Sequence, residues 1–71
     1  MTASEIIFEI VESAEGGYEA RALGHSIFTE ADTEEELKEM LRDAVRCHFE
    51  ERDDAPQLIR LHWVRDELIS A

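Results

Sequence analysis

The spacing of apolar residues changes at Thr33, and this change constrains the fold more than any other feature of the chain. From "SEIIFEIVES" to "HSIFTEA", apolar side chains recur at every second position, which is the period of a β-strand. After Thr33 they recur three or four positions apart, as in an amphipathic α-helix, and "QLIRLHWVR" returns to alternation. The pattern therefore predicts three strands, a helix from residue 33 to about 51, and a fourth strand.

Turn and capping signals agree with these boundaries. Gly16 and Gly17 supply the positive-φ freedom of a hairpin turn, and Gly24 allows a second tight turn. Thr33 and Glu36 form the pattern of a capping box, in which the hydroxyl and the carboxylate satisfy exposed backbone N–H groups reciprocally. The apolar stripe of the predicted helix consists of Leu37, Met40, Leu41, Ala44, Val45 and His48.

The order of elements limits the topology of the sheet. Two antiparallel turns followed by a helical crossover make the fourth strand parallel to the first. We therefore predict an α+β fold, β-β-β-α-β, with a four-stranded mixed sheet in the order 3-2-1-4 and one helix packed on one face. All residues from 1 to 71 fit one domain. One helix covers one sheet face only, and the first strand is apolar on both faces, so we expect a homo-oligomer.

Cysteine usage and the absence of long apolar runs predict the location of the protein. The lone Cys47 cannot form an internal disulfide, and no apolar run reaches the length of about 18 residues that spans a membrane. The start, "MTASEIIFEI", lacks the basic and continuous apolar regions of a secretory signal. We therefore expect a cytoplasmic protein in a reducing compartment.

The charge balance predicts the class of partner. Eighteen acidic residues against seven Lys and Arg give a formal net charge of −11. Neither nucleic acid nor an anionic membrane surface is expected to bind, because both are bound by clustered cations. Capping and the helix dipole explain some acidic residues near the helix start, but not the gathering of Glu30, Asp32, Glu34 and Glu35 at one exposed corner. We predict that this corner and the adjoining sheet edge bind a small basic protein.

The run "IVESAEGGYEARALGHSIFTEADTEEELKEMLRDAV" resembles the N-terminal domain of HicB-type antitoxins, which have a β-β-β-α-β, partial ribonuclease-H-like fold. The matching features are an acidic residue followed by "GGY" in the first hairpin, a glycine before the third strand, "FTEADT" before the helix, and "EEL" then "AV" within it. In this chain they are Glu15 to Tyr18, Gly24, Phe28 to Thr33, Glu35 to Leu37, and Ala44 with Val45. The resemblance covers residues 5 to about 65.

The resemblance implies a protein-binding module whose partner is a small basic, HicA-like ribonuclease with a catalytic histidine. The chain departs from the family in two ways. It has "ARALG" where the family commonly has a proline-containing segment before the glycine. It also ends at Ala71, whereas full antitoxins continue into a DNA-binding domain, so regulation by DNA binding is not expected.

The residues offer no constellation for catalysis or for a cofactor. A ribonuclease-H-like site would need clustered carboxylates, but Glu9 on the first strand has no acidic mate on the fourth. A metal site built from Cys47, His48, His25 and His62 is not expected, because adjacent helical residues point about 100° apart. We expect Cys47 to be a small, partly buried hydrophobe and His48 to pack as a neutral ring. We predict no enzyme activity, cofactor or metal ion.

Two functions therefore remain open from the sequence. The first is a HicB-like interaction module that inhibits or titrates a basic ribonuclease in a toxin–antitoxin system. The second is a small acidic structural or housekeeping homo-oligomer without a toxin partner, in which the acidity serves only solubility.

Overall fold

The sheet has the predicted order. The computed structural model describes residues 4–50 and 53–71. In chain order the elements are β1 (Glu5–Glu12), β2 (Tyr18–Ala22), β3 (Phe28–Ala31), α1 (Glu34–His48) and β4 (Leu58–Val64). The strands are arranged β3-β2-β1-β4; β2 runs antiparallel to both of its neighbours, and β4 runs parallel to β1. The α+β prediction and the strand order 3-2-1-4 are both confirmed.

The alternation in β1 forms the centre of the core. Ile6, Phe8 and Ile10 face α1 and are buried, because every second side chain of a strand points to the same face. In the parallel pair with β4, Ile6 lies opposite Ile59 and Phe8 lies opposite Leu61. These two β4 residues are only partly buried, so the core thins toward the β4 edge of the sheet.

The helix begins as predicted but ends earlier. Thr33 has an extended backbone, and its Oγ1 accepts a hydrogen bond from the Glu36 backbone N–H at 3.1 Å. Among the described residues the Thr33 backbone N–H donates no hydrogen bond to the Glu36 carboxylate, so half of the capping box forms. The helix ends at His48, and Phe49 caps it by donating its N–H to the carbonyl of Val45 at 3.0 Å. The predicted end near residue 51 was too late.

The helix buries a narrower row than the predicted stripe. Its buried residues are Leu37, Leu41 and Val45, and the C-cap Phe49 continues the row. Residues four apart form one ridge of a helix, and this ridge faces the sheet. Met40 and His48 lie on the flank of the ridge and are exposed, so the predicted packing of His48 in the stripe is wrong. The prediction of a partly buried Cys47 is also wrong, because that side chain is exposed.

The sheet face away from α1, called the open face here, carries both apolar and charged side chains. Phe28 and Leu58 are exposed there, at 55% and 51%, while Ile7 and Val11 are half-buried. The open face is therefore partly apolar, as the alternation in the first strand predicts. No helix among the described residues is long and apolar enough to cross a membrane.

An ion pair joins β1 to β4 across the open face. The Arg60 guanidinium donates to both carboxylate oxygens of Glu5, with Nε to Oε1 at 2.7 Å and Nη2 to Oε2 at 3.0 Å. These hydrogen bonds, with a smaller contribution from the charge of Arg60, lower the pKa of Glu5 below its usual value. The two-pronged geometry favours the register that places Arg60 next to the start of β1.

Candidate protein-binding site

A depression lined by carboxylates lies where the β1–β2 hairpin meets the end of β3 and the first turn of α1. Its volume is about 390 Å³. The acidic residues in its lining are Glu15, Glu19, Glu30, Asp32 and Glu36, and we call this surface the acidic concavity. The rest of the lining, in the part of the chain that the structure describes, includes Ser13, Gly16 and Tyr18 but no lysine or arginine.

Close contact between the hairpin and β3 shapes this surface. Gly17 has a φ of +84°, which glycine adopts readily and residues with a Cβ rarely do. A Cβ built on Gly17 would lie 2.7 Å from the carbonyl oxygen of Ala31. The hairpin therefore approaches the end of β3 more closely than a side chain at residue 17 would allow. This approach brings the acidic residues of the hairpin next to those of β3.

The register of β2 and β3 places two carboxylates directly opposite each other. Glu19 is the partner of Glu30 in this antiparallel pair, and both side chains point to the open face. Like charges at directly opposite positions destabilise a sheet. No ion pair to either residue occurs within 4 Å in the described ranges, 4–50 and 53–71. Among the described residues, therefore, no ion pair offsets the repulsion between Glu19 and Glu30.

The structure divides the four residues that the sequence predicted for partner binding. Glu30 and Asp32 both line the acidic concavity. Glu34 and Glu35 are exposed in the first turn of α1 but do not line it. In the first turn they face the positive end of the helix dipole, which stabilises them there. The predicted corner therefore consists of two neighbouring surfaces: the acidic concavity, which includes Glu30 and Asp32, and the first turn of α1, which includes Glu34 and Glu35.

Sequence reasoning missed three residues of the acidic concavity. Glu36 was assigned to the capping box, yet its carboxylate lines the depression. Glu15 and Glu19 precede the predicted corner by more than ten residues, and only the hairpin and the β2–β3 register bring them to it. The sequence does allow the position of Glu19 to be predicted, because a turn centred between Gly24 and His25 pairs residue 19 with residue 30.

The arrangement suits binding of cationic side chains better than metal or acid–base chemistry. Within the described residues, no three His, Cys, Asp or Glu side chains come together in a group that could hold a metal ion. The lining residues that the structure describes also include no histidine or cysteine. Carboxylates spread over an open surface accept hydrogen bonds from Arg and Lys, and such charge-assisted bonds are stronger than neutral ones.

The histidines near the helix end form a separate ring cluster. His25 and His48 lie with ring centroids 5.6 Å apart, and each ring also contacts Phe49 edge-on. Edge-to-face contacts of this kind stabilise packing between rings. The exposed position of His48 beside Phe49 therefore has a structural explanation without a ligand.

The fold and the acidic concavity together define a class: a small acidic α+β protein with a four-stranded mixed sheet covered by one helix. Comparison with known proteins identifies two relatives of the chain. A UPF0150 protein of Thermotoga maritima is 48% identical over 69 residues, which cover 97% of this chain and 96% of the relative. A UPF0150 protein of Archaeoglobus fulgidus is 67% identical over 46 residues, covering 65% of this chain and 68% of the relative. The chain belongs to the UPF0150 family. No family profile matches it, and no solved structure matches it.

Proposed function

We propose that this protein is a non-catalytic interaction module of the cytoplasm that binds a small basic protein through the acidic concavity. The observation that carries the proposal is the pair of Glu19 and Glu30, which face each other within a lining of five carboxylates and no cation. Both residues lie on strands, so neither helix capping nor the helix dipole accounts for them. Arg or Lys side chains of a partner would offset their repulsion.

The partner in this proposal is a HicA-like ribonuclease, and the function is that of an antitoxin. Two arguments support this choice. The chain resembles the HicB-type domain in its "GGY" hairpin and its approach to the helix. In addition, a ribonuclease contacts the phosphates of RNA with cationic side chains, and an acidic surface is complementary to them. Binding would thus cover the RNA-binding surface of the ribonuclease.

Electrostatics would act mainly on the rate of association. With a formal net charge of −11, the protein attracts a basic partner from a distance, and clustered carboxylates focus this attraction at one surface. Charge complementarity of this kind raises association rates and sets orientation more than it raises affinity. A salt-sensitive association rate is therefore the expected signature of binding at the acidic concavity.

The composition of the lining supports the non-catalytic part of the proposal. Its described residues include no histidine, cysteine or lysine, the side chains that usually provide a nucleophile or a base titrating near neutral pH. A second candidate function is a small acidic structural homo-oligomer without a toxin partner. The exposed Phe28 and Leu58 on the open face favour it, because exposed apolar surface often marks contact between proteins.

A comparative capture experiment tests the proposal. Tagged full-length protein and two variants are incubated with native lysate, and retained proteins are identified by mass spectrometry. The first variant, Glu19→Gln/Glu30→Gln/Asp32→Asn, removes three charges from the acidic concavity. The matched control, made in exposed residues elsewhere, is Glu39→Gln/Glu50→Gln/Asp53→Asn. We expect a small basic ribonuclease to be retained by the wild type and the control but not by the first variant.

Association kinetics with the captured ribonuclease complete the test. At low salt the first variant should associate at least about tenfold more slowly than the control, and the difference should shrink at high salt. A third variant, Glu34→Gln/Glu35→Gln, measures the contribution of the helix start separately. If all the variants capture the same proteins at the same rates whatever the salt concentration, the acidic concavity binds no basic partner and the structural homo-oligomer is favoured.

A further inference from the structure

A groove lies between α1 and β4, at the sheet edge opposite β3. The groove, called the α1–β4 groove here, has a volume of about 460 Å³; its lining includes Lys38, Leu41, Arg42, Ile59 and Leu61. Ile59 and Leu61 of β4 are only partly buried, so α1 does not cover this side of the sheet fully. The outer strands of a four-stranded sheet are about 14 Å apart, whereas a helix with its side chains is about 10 Å wide. One helix therefore leaves the β4 side uncovered.

The segment 65–71, which follows β4, exposes apolar side chains that could cover such a groove. It contains no helix or strand, and its two large apolar residues are almost fully exposed: Leu68 at 99% and Ile69 at 86%. Two adjacent aliphatic side chains in water are unfavourable, because their burial is a main source of stability in folding and association. Among the described residues, the chain thus presents both an apolar groove and an almost fully exposed apolar segment.

The charges of the two surfaces are complementary. Lys38 and Arg42 are one helical turn apart beside the apolar floor, and neither makes an ion pair within the described part of the chain. The segment carries Asp66 and Glu67 directly before its aliphatic pair. In an extended segment alternate side chains share a side, so each side presents one carboxylate followed by one aliphatic residue. The groove presents Lys38 and Arg42 beside its apolar floor, and this combination is complementary to a carboxylate followed by an aliphatic side chain.

The backbone of β4 offers a further contact. β4 is an edge strand, so the N–H and C=O groups on its outer side have no strand partner in the described residues. An extended segment lying beside an edge strand gains backbone hydrogen bonds as well as side-chain contacts. A segment placed along β4 would therefore add a fifth strand and cover the groove at the same time.

The chain's own segment cannot cover the groove fully. Leu58 and Ile59 lie near the start of β4, and the segment begins after Val64 at its end. A reversal uses at least two residues, so Leu68 and Ile69 would return only about 7–10 Å along a strand that is about 20 Å long. The segment of a second copy, related by a two-fold axis, can reach the start of β4. The second copy also has an identical groove, which the segment of the first copy can occupy.

We infer that the 65–71 segment of a second copy occupies the α1–β4 groove, and that the exchange is reciprocal, giving a two-fold dimer. On the side that faces the groove, one carboxylate of the segment contacts Lys38 or Arg42 of the other copy, and the aliphatic residue that follows it on that side covers the apolar floor. The dimer leaves the acidic concavity free, because the acidic concavity lies at the β3 side of the sheet.

Sedimentation equilibrium of the full chain from about 1 to 100 µM tests the inference. The wild type should reach twice the monomer mass of 8.2 kDa. The variant Leu68→Ser/Ile69→Ser should raise the dimer dissociation constant at least about tenfold. Because both side chains are exposed, circular dichroism of the dilute variant should stay that of the folded wild type. The matched control Phe28→Ser, on the open face, should leave the dissociation constant unchanged.

Charge reversal tests the specific contact. Lys38→Glu/Arg42→Glu should weaken the dimer, and adding Asp66→Lys/Glu67→Lys in the same chain should restore it. Mixing the groove variant with the Leu68→Ser/Ile69→Ser variant should produce a heterodimer held by a single exchange, weaker than the wild type but stronger than either variant alone.

Several results would overturn the inference. A wild type that remains monomeric at 100 µM excludes the exchange, including the case in which each copy folds its own segment back. A dimer that persists in the Leu68→Ser/Ile69→Ser variant but dissociates in Phe28→Ser would place the interface on the open face instead. Failure of the double charge reversal to restore association would exclude the ion pairs.

Discussion

Replacement of Gly17 by alanine should destabilise the protein more than the same replacement at its neighbour Gly16. Both glycines have positive φ, +84° and +98° respectively, so both alanine variants incur backbone strain of roughly 1–2 kcal/mol. Their surroundings differ. A Cβ on Gly16 would have no atom within 4 Å, whereas a Cβ on Gly17 would lie 2.7 Å from the carbonyl oxygen of Ala31 and 3.4 Å from the Cα of Asp32.

The atoms that Gly17→Ala would meet belong to the backbone, so they cannot move away by changing a rotamer. Ala31 is paired with Tyr18 in the β2–β3 ladder, and relief of the contact must shift that ladder or the hairpin. Overpacking of this kind typically costs about 1–3 kcal/mol. We therefore expect a loss of roughly 2–5 kcal/mol for Gly17→Ala and roughly 1–2 kcal/mol for Gly16→Ala.

Urea and thermal unfolding, followed by far-ultraviolet circular dichroism at equal protein concentration, measure this difference. For a domain of this size 1 kcal/mol corresponds to about 4–8 °C, so Gly17→Ala should melt at least about 4 °C below Gly16→Ala. Equal concentrations matter because self-association would stabilise the folded state by mass action. If the two variants lose the same stability, a Cβ at residue 17 does not clash with the Ala31 carbonyl oxygen, and the stated cause of the acidic concavity's shape is wrong.

Two further predictions concern stability. Thr33→Ala removes the hydroxyl that caps α1 and should cost about 0.5–2 kcal/mol in urea unfolding, whereas Glu39→Ala on the exposed side should cost little; equal losses would show that the cap contributes nothing. The pKa of Glu5 is lowered by Arg60, so the ion pair stabilises the fold above the usual pKa of Glu5 and is lost as pH falls through the lowered value. Arg60→Gln should raise the pKa of Glu5 in an NMR titration and lower the melting temperature at pH 7 but not at pH 2, with Arg21→Gln as the charge-matched control; an unchanged pKa would contradict the pairing.

The strand pattern was predictable because burial on one face fixes it. A period-2 pattern leaves β1 one way to bury Ile6, Phe8 and Ile10 together, and the same constraint aligns β4 beside it. The order 3-2-1-4 then follows because a fourth strand beside β1 fills the open edge of the hairpin and lets the helix cover it. Local sequence and global packing agree at these positions, which is why the sheet could be predicted without a structure.

The helix was less predictable because its contact with the sheet is narrow. Periodicity marks every residue within a broad stripe as a candidate for burial, and His48 lies within that stripe as much as Val45 does. The choice between them depends on how α1 is rotated over the sheet, which is a property of tertiary packing. Phe49, one residue beyond the helix, buries its larger apolar ring and leaves His48 on the flank.

The candidate site was predictable only where its residues are neighbours in sequence. Glu30 and Asp32 are close to each other in the chain, but Glu19 reaches them through the register and Glu15 through the fold of the hairpin. The register could have been derived from the turn at Gly24. The approach of the hairpin to β3 could not have been derived from the sequence. It depends on a backbone contact at Gly17, which the pattern of side chains does not indicate.

The two edges of the sheet are suited to different contacts. β3 is four residues long and carries the charged Glu30, and short charged edges resist pairing with other strands. β4 is seven residues long, borders an apolar groove and lies near Lys38 and Arg42, which are uncommon charges in a chain with a net −11. Association through β4 would therefore bury the edge strand that pairs more readily with another strand. It would leave the acidic concavity of both copies exposed. A dimer of this form would offer a basic partner two identical sites, so that dimerisation and partner binding would proceed on separate surfaces.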